Sequence, residues 1–262
     1  MEWWLGYLAI GAFVGFFAGL LGIGGGAIIV PLLVLLFQAQ GIPRAHLLHL
    51  AVGTSMAIIL FTSLSSVGAH ARRGAVRWEV ARALTPGIIV GGLAGSFAAG
   101  GFSTRVLAVA FTIIVYIAGT NILFDRQPKP GRSLPGVGGL FAAGFLISAV
   151  SALVALGGAF MSVPFMIWCN VDVRSAIGTA AFIGFPIALV GTLGYIVTGW
   201  GAGPAWSLGY VYLPALVGVC AASILFAPLG ARISHTLPTK ILKRIFGVLL
   251  LVFATRMLVS LL

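Results

Sequence analysis

The chain has 262 residues, of which 60% are hydrophobic and only 7% are charged. Apolar runs close to the ~20 residues that span a bilayer recur from end to end and leave no stretch for a soluble domain. The net charge of +11 would suggest nucleic acid in a soluble protein. Here the basic residues lie in short loops between apolar segments, where orientation signals belong. The composition predicts an all-α polytopic membrane protein with no nucleic-acid partner.

Ten apolar segments follow one another, five in each half of the chain. They cover residues 5–21, 26–38, 46–69, 79–99, 104–124, 136–155, 159–169, 175–198, 207–230 and 238–261. The longest polar connection, residues 125–135, is rich in proline and typical of a surface linker. The sequence thus predicts a first transmembrane repeat at 1–125, a cytoplasmic linker at 126–135 and a second transmembrane repeat at 136–262.

Both halves carry one motif, in which a glycine cluster breaks an apolar run, a proline follows, and Gly-Thr opens the next helix. The first copy consists of residues 22–26, Pro31 and Gly53-Thr54, and the second of residues 155–159, Pro164 and Gly178-Thr179. A duplicated, glycine-broken membrane segment is the sequence feature that best marks a transporter's substrate site.

The charges of equivalent loops predict that the two repeats are inverted. The loop around residues 70–82 contains four arginines, whereas its counterpart at 199–207 has no charge and two tryptophans. The positive-inside rule places these loops on opposite sides. Each half then crosses an odd number of times if residues 5–38 and 136–169 form hairpins that return to their starting side. Both termini are expected outside the cytoplasm, with twelve of the fifteen Lys and Arg residues inside.

Segments 26–38 and 159–169 are too short to cross a ~30 Å core at ~1.5 Å per residue, so they are expected to begin near mid-membrane. Two helix N-termini would meet there and offer an anion free N–H groups and about half a positive charge each. Neighbouring hydroxyl groups are expected to add donors. Two alternatives stay open: the glycines only permit close helix packing, and the threonines bond to their own helices.

The predicted substrate-binding residues lie at the two hairpin tips or on the helices beside them: Gly24, Gly25, Gly26, Ala27, Thr54, Ser55, Gly157, Gly158, Ala159, Phe160, Ser162 and Thr179. Gly22, Pro31 and Pro164 are assigned to hairpin geometry. Gly92, Gly95 and Gly144 are assigned to helix packing, and Ser148 to a bond between helices. No catalytic residue, metal site or cofactor is predicted, because the chain has no nucleophile elbow, metal-ligand spacing or phosphate loop in a suitable context.

The run from Gly15 to Gly26, continuing to Val30-Pro31, and the run from Ala51 to Ser55 resemble the sulfite exporter TauE/SafE family, also called the toluene sulfonate uptake permeases. The resemblance covers nearly the whole chain. It implies a carrier for small sulfur-containing anions, such as sulfite, sulfonates or sulfoacetate, in the cytoplasmic (inner) membrane of a prokaryote. The second copy departs from the pattern at Ala155, Ala159 and Ala180, so unequal half-sites are expected.

The sequence therefore predicts a secondary transporter, not an enzyme, that moves a small anion across the membrane by alternating access. An anion-selective channel and a non-transporting membrane subunit of a larger assembly are the alternatives. The expected partners are the anion and the lipid bilayer, and homo-oligomerisation is left open. No carboxylate lies deep in a span, so proton coupling would require a histidine, such as His49, or the substrate itself.

Overall fold

The structure is a computed structural model that describes residues 3–21, 26–72, 74–124, 130–233 and 239–261. These residues form ten helices: α1 (Trp3–Leu21), α2 (Gly26–Ala39), α3 (Arg44–Arg72), α4 (Trp78–Gly101), α5 (Thr104–Leu123), α6 (Val137–Val154), α7 (Ala159–Trp168), α8 (Val173–Thr198), α9 (Leu213–Ile233) and α10 (Thr239–Leu261). A short antiparallel pair, β1 (Ser207–Leu208) and β2 (Val211–Tyr212), lies between α8 and α9.

Seven of the described helices are long and apolar enough to cross a membrane, whereas α2, α7 and the Trp3–Ala18 part of α1 are shorter apolar helices. This confirms a helical, polytopic membrane fold. One predicted segment is wrong at its start, because residues 207–212 form the β-hairpin and α9 begins only at Leu213. Gly209 adopts a left-handed φ of +57° between the two strands, which turns the chain back. Hydrophobicity alone does not distinguish this apolar turn from the first turn of a helix.

Helices α1 and α2 form an antiparallel hairpin, and α6 and α7 form a second one. In the first, Gly6 lies against Leu36, so the start of α1 is beside the end of α2. In the second, the N–H groups of Gly131 and Arg132 each donate to the carbonyl of Trp168 at 3.2 Å, which ties the approach to α6 to the end of α7. Each hairpin therefore returns to the side from which it starts.

Each hairpin packs against a helix from the other half of the chain through a row of glycine contacts, here called a glycine seam. In the α1–α9 seam, a Cβ placed on Gly11 would lie 2.5 Å from the carbonyl oxygen of Val219. In the α4–α6 seam, a Cβ on Gly91 would lie 2.1 Å from the carbonyl oxygen of Phe145. Such contacts bring helix backbones together in the way that small residues permit in membranes. Gly95 and Gly144 pack in the same manner within the α4–α6 seam.

The equivalent long helices of the two halves run antiparallel. Met56 of α3 lies against Gly191 of α8, and Gly53, one turn earlier in α3, lies against Tyr195, one turn later in α8. Helices α5 and α10 are related in the same way, because Gly119 packs on Leu251 whereas Leu123 packs on Gly247. Equivalent helices therefore point in opposite directions along the molecule.

The helix ends lie on two opposite sides of the molecule. The side that carries Tyr212, called the Tyr212 side, also holds the start of α3 and the end of α4, where His49 Nε2 lies 3.0 Å from the carbonyl oxygen of Ala99. Gln38 donates to the Ser260 hydroxyl at 3.1 Å on this side, near the end of α10. The opposite side, called the Arg77 side, holds the starts of α4 and α8 and the end of α7.

Candidate functional site

The tips of the two hairpins meet beside the middle of α3. A Cβ placed on Gly26, the first residue of α2, would lie 2.3 Å from the carbonyl oxygen of Ala155 and 2.7 Å from Cδ1 of Ile59. Ile59 lies near the midpoint of α3 and is also the side chain closest to Gly157. The start of α2, the break between α6 and α7, and the centre of α3 therefore form one region.

The second tip is built from left-handed backbone. Ala155 has φ +50°, Gly157 has φ +71° and Gly158 has φ +75°. Glycine adopts this region without a steric penalty, whereas a residue with a Cβ, such as Ala155, costs roughly 1–2 kcal/mol there. Gly158 is also enclosed, because a Cβ on it would lie 2.3 Å from Cδ1 of Ile187 in α8. The sequence of this tip thus fixes both its conformation and its fit against α8.

The N-terminus of α7 offers backbone donors at this tip. The N–H groups of Met161 and Ser162 donate to the carbonyl of Gly158 at 3.2 and 3.0 Å. Those of Gly158 and Phe160 donate to no backbone acceptor within the described ranges. Free N–H groups and the helix dipole together favour a negative charge at such a terminus.

Four buried side-chain atoms of the described residues have no hydrogen-bond partner: the hydroxyl oxygens of Ser55, Ser148 and Ser162, and Nδ1 of His49. All three serines have 0% of their surface exposed. A buried polar group left unpaired costs about 1–3 kcal/mol, so each such group calls for a partner such as an ordered water or a bound ligand. Ser55 lies one helical turn from Ile59, on the same face of α3, and Ser162 lies on the first turn of α7.

Ser148 differs from what the sequence suggests. It was expected to bond between helices, yet its hydroxyl faces Gly92, whose added Cβ would lie 2.7 Å from the Ser148 oxygen. Gly92 thus differs from its neighbours in the α4–α6 seam, which touch the backbone. A lone serine in an apolar helix gives no sequence signal that its partner is missing.

The two predicted threonines make equivalent contacts. The Thr54 hydroxyl oxygen accepts the N–H of Tyr212 at 2.9 Å, and the Thr179 hydroxyl oxygen accepts the N–H of Arg77 at 2.9 Å. Both side chains are completely buried. These contacts join residues from different halves of the chain, so the two Gly-Thr motifs have a structural function, whichever ligand they contact.

Pro31 and Pro164 are each the sixth residue of a short helix. A proline inside a helix lacks the N–H that would bond to the carbonyl four residues earlier, so these helices lose one internal bond near their starts. Ala159 begins α7 and packs, half-buried, on the apolar core around α8. The remaining predicted residues of the first tip, Gly22, Gly24 and Gly25, lie outside the described residues.

A small apolar cleft separates the hairpin tips from α5 and α10. Its lining consists of Ala27, Leu156 and Phe160 from the tips, Ala118 and Ile122 from α5, and Phe246 and Leu250 from α10. Two predicted residues, Ala27 and Phe160, therefore face the same cleft. No lysine, arginine or carboxylate lines it among the described residues.

The pKa is shifted for two ionisable groups near helix ends, Asp172 and Tyr210. Asp172 caps α8 by accepting the N–H of Ser175 at 3.0 Å. Hydrogen bonds from the side chain and the backbone of Ser175 lower the pKa of the Asp172 carboxyl group. Tyr210, in the loop before α9, has a raised pKa because it is buried, and its hydroxyl lies 3.0 Å from Nδ1 of His46. Within the described part of the chain, no three His, Cys, Asp or Glu residues are grouped to hold a metal ion.

Known proteins give a consistent comparison over most of this chain. Probable membrane transporter proteins of Haemophilus influenzae and Bacillus subtilis, the latter named YdhB, are 35% and 29% identical to it. The first alignment covers 95% of this chain and 96% of the relative, and the second covers 88% and 90%. A probable membrane transporter protein of Methanocaldococcus jannaschii is 24% identical over 90% of this chain and 88% of its own length.

No solved structure matches the chain. The family model described as sulfite exporter TauE/SafE matches residues 7–257, which include both hairpins, both long central helices and both glycine seams. This protein therefore belongs to the sulfite exporter TauE/SafE family of membrane transporters.

Proposed function

We propose that this protein is a secondary transporter that carries small sulfur-containing anions, such as sulfite, sulfonates or sulfoacetate, across the cytoplasmic membrane by alternating access. The anion binds where the two hairpin tips meet. The observation that carries this proposal is the pair of fully buried, unpartnered hydroxyl groups of Ser55 and Ser162 beside the free N-terminus of α7.

The chemistry of this region suits an oxyanion. The N–H groups at the start of α7, and by motif equivalence those at the start of α2, present partial positive charge without an ionised side chain. Serine hydroxyls donate a hydrogen bond to an anionic oxygen and rotate freely to do so. We assign the first ligand contacts to Ser55 and Ser162, whose hydroxyl groups have no partner among the described residues. The hydroxyl protons of Thr54 and Thr179 can add further donors, because these oxygens only accept backbone N–H groups.

Desolvation of a divalent anion in a low-dielectric interior is costly, so several donors must replace its water. A singly charged form, such as bisulfite or a sulfonate, lowers this cost. The small cleft lined by Leu156, Phe160 and Phe246 adjoins the tips, and its apolar side chains would contact the rest of an organic sulfonate once the cleft widens. Donors at one end and apolar side chains at the other favour anions of the sulfonate type.

The antiparallel packing of α3 on α8 and of α5 on α10 supports an inverted repeat, because a two-fold axis in the membrane plane reverses the direction of related helices. Arg72, Arg77, Arg82, Arg132 and Arg174 belong to helix ends and loops of the Arg77 side. The positive-inside rule then makes this side cytoplasmic and places both termini outside. The protein spans the membrane several times, with the tips at mid-depth.

Flux measurements test this proposal. Purified protein in liposomes is expected to take up radiolabelled sulfite or sulfoacetate saturably, with competition by related sulfur anions and not by chloride. Removal of one hydrogen bond to a charged ligand costs about 1.5–3 kcal/mol, so Ser55→Ala and Ser162→Ala are each expected to weaken apparent affinity ~10-fold or more.

Ser63→Ala is the matched control, because Ser63 also lies in α3 but its hydroxyl already donates to the carbonyl of Leu60 at 2.9 Å. Its affinity is expected to equal that of the unaltered protein. Unchanged affinity in both Ser55→Ala and Ser162→Ala would remove the site from the hairpin tips. Ion conductance far above carrier turnover would identify a channel, and absence of any anion flux from folded protein would favour the non-transporting subunit.

A further inference from the structure

Two contacts between the halves of the chain lie at the Gly-Thr motifs, and each contact has two parts. On the Tyr212 side, Gly53 makes room for the loop before α9, because its added Cβ would lie 2.5 Å from the carbonyl oxygen of Tyr210. The next residue, Thr54, accepts the N–H of Tyr212 at 2.9 Å. Glycine and threonine together hold the carbonyl and N–H of one short loop segment.

The Arg77 side repeats this arrangement with the halves exchanged. Gly178 makes room for the loop before α4, because its added Cβ would lie 2.4 Å from the carbonyl oxygen of Ala75. Thr179 accepts the N–H of Arg77 at 2.9 Å. In both loops, the residue beside the glycine lies two positions before the residue bound by the threonine: Tyr210 before Tyr212, and Ala75 before Arg77.

The two contacts flank the hairpin tips symmetrically. The tips touch α3 at Ile59 and α8 at Gly184, where an added Cβ would lie 3.1 Å from the carbonyl oxygen of Gly157. Thr54 precedes Ile59, and Thr179 precedes Gly184, by about 7.5 Å of helix at ~1.5 Å per residue. Because α3 and α8 are antiparallel, these displacements point toward opposite sides of the molecule.

Each contact ties a long central helix to the body that carries one hairpin. Tyr212 directly precedes α9, which packs backbone to backbone on α1 in the first hairpin. Arg77 directly precedes α4, which packs in the same way on α6 in the second hairpin. A glycine seam transmits displacement with little loss, because its backbones are already in contact. Release of one contact therefore weakens the attachment of one hairpin, with its seam partner, to the central pair α3 and α8.

We propose that the Thr54–Tyr212 and Thr179–Arg77 hydrogen bonds hold two gates closed and break in alternation. They are called the Thr54 latch and the Thr179 latch. The Thr54 latch opens when the site is exposed to the Tyr212 side, and the Thr179 latch opens when it is exposed to the Arg77 side. This inference rests on the proposed alternating access but not on the identity of the anion. In the present structure both latches are closed and the serines at the tips are buried, which corresponds to an occluded state.

Side-specific labelling of one cysteine tests the latches without any substrate. The reporter is Ala118→Cys on α5, which lines the cleft and is 1% exposed, in a chain whose native Cys169 and Cys220 are replaced by alanine. A membrane-impermeant thiol reagent is applied to liposomes of known orientation, first from one side and then from the other. Thr54→Val is expected to speed labelling several-fold from the Tyr212 side only, and Thr179→Val several-fold from the Arg77 side only.

Thr54→Ser and Thr179→Ser are the matched controls, because serine keeps the acceptor oxygen and should label at the unaltered rate. The double valine variant is expected to restore the original ratio of the two labelling rates, since both gates are weakened equally. Where a valine variant fails to fold, the corresponding alanine variant takes its place.

Three results would overturn the proposal: unchanged side-specific rates in both valine variants, faster labelling from the same side in both, or loss of folding in the valine and alanine variants alike. The last would identify a purely structural contact. If sulfite is not transported but the two valine variants label faster from opposite sides, the proposed substrate is wrong and the latches stand. If sulfite is transported but the labelling rates do not change, the proposed substrate stands and the latches are wrong.

Discussion

The two half-sites share their Gly-Thr contacts and the position of the proline in the short helix, but not the position of their hydroxyl groups. The first half has Ser55 on its long helix, and the second half has Ala180 at the equivalent position. The short helices show the opposite pattern, with Ser162 in α7 and Ile29 at the matching position of α2. Near the tips, the first half thus provides the unpartnered hydroxyl of Ser55 and the second half that of Ser162, from non-equivalent helices. Symmetry is kept where the chain bonds to itself, and it is lost where a ligand would be bound.

The largest effect is expected when the second tip is blocked. In Gly158→Val, the new side chain meets Ile187 at a φ of +75°, so the tip cannot keep its conformation. Transport should fall by roughly 100-fold or more, the scale on which small displacements act at preorganised sites. Liposome flux measures this loss, with membrane insertion confirmed separately. Gly138→Val is the control, because Gly138 lies in α6 with nothing within 4 Å of an added Cβ, and full loss of flux there would contradict this explanation.

Transfer of a hydroxyl from one half to the other sharpens the comparison. Ser55→Ala is expected to weaken apparent affinity ~10-fold, and addition of Ala180→Ser should not restore it, because both hydroxyls then belong to the second half-site. Competition of unlabelled sulfite against radiolabelled uptake measures the affinity. If the double variant recovers the affinity of the unaltered protein, a hydroxyl on α8 can replace one on α3, and the two half-sites are interchangeable.

A seam substitution should affect stability in place of affinity. In Gly91→Ala, the added Cβ would lie 2.1 Å from the carbonyl oxygen of Phe145, so α4 and α6 must separate. Overpacking of this kind costs about 1–3 kcal/mol. The melting temperature in detergent should fall, whereas Gly101→Ala, with no neighbouring atom within 4 Å, should leave it unchanged. Equal melting temperatures in the two variants would show that the seam yields easily.

The smallest effect concerns the cap of α8. The pKa of Asp172 is lowered because its carboxylate accepts hydrogen bonds from the side chain and the N–H of Ser175, so the cap stabilises the fold above the carboxyl's unfolded pKa of ~3.9. This stabilisation is lost as pH falls through the lower pKa of the folded state. Asp172→Asn keeps a neutral cap whose contribution does not vary with pH. The difference in melting temperature between the two proteins should stay constant near neutral pH and change only in acid.

The sequence was most informative where the chain breaks its own pattern. Glycine clusters inside apolar runs and two short segments indicated both hairpins, since chain length and backbone freedom are local properties. The partners of Thr54 and Thr179 are not predictable from the sequence, because they are separated from these threonines by 158 and 102 positions along the chain, respectively. The β-hairpin at 207–212 was missed because its composition is apolar. Ser148 was misassigned because burial without a partner becomes visible only in three dimensions.

The α1–α9 seam has a consequence for how the protein is made. Gly11 and Gly15 pack on a helix that is synthesised about 200 residues later, and at ~5–20 residues per second the ribosome needs roughly 10–40 s to reach it. Through that interval the glycine face of α1 has only lipid or the insertion machinery for contact. Helix α1 therefore reaches its final packing long after it has entered the membrane. Chains that terminate before α9 should be removed by quality-control proteases.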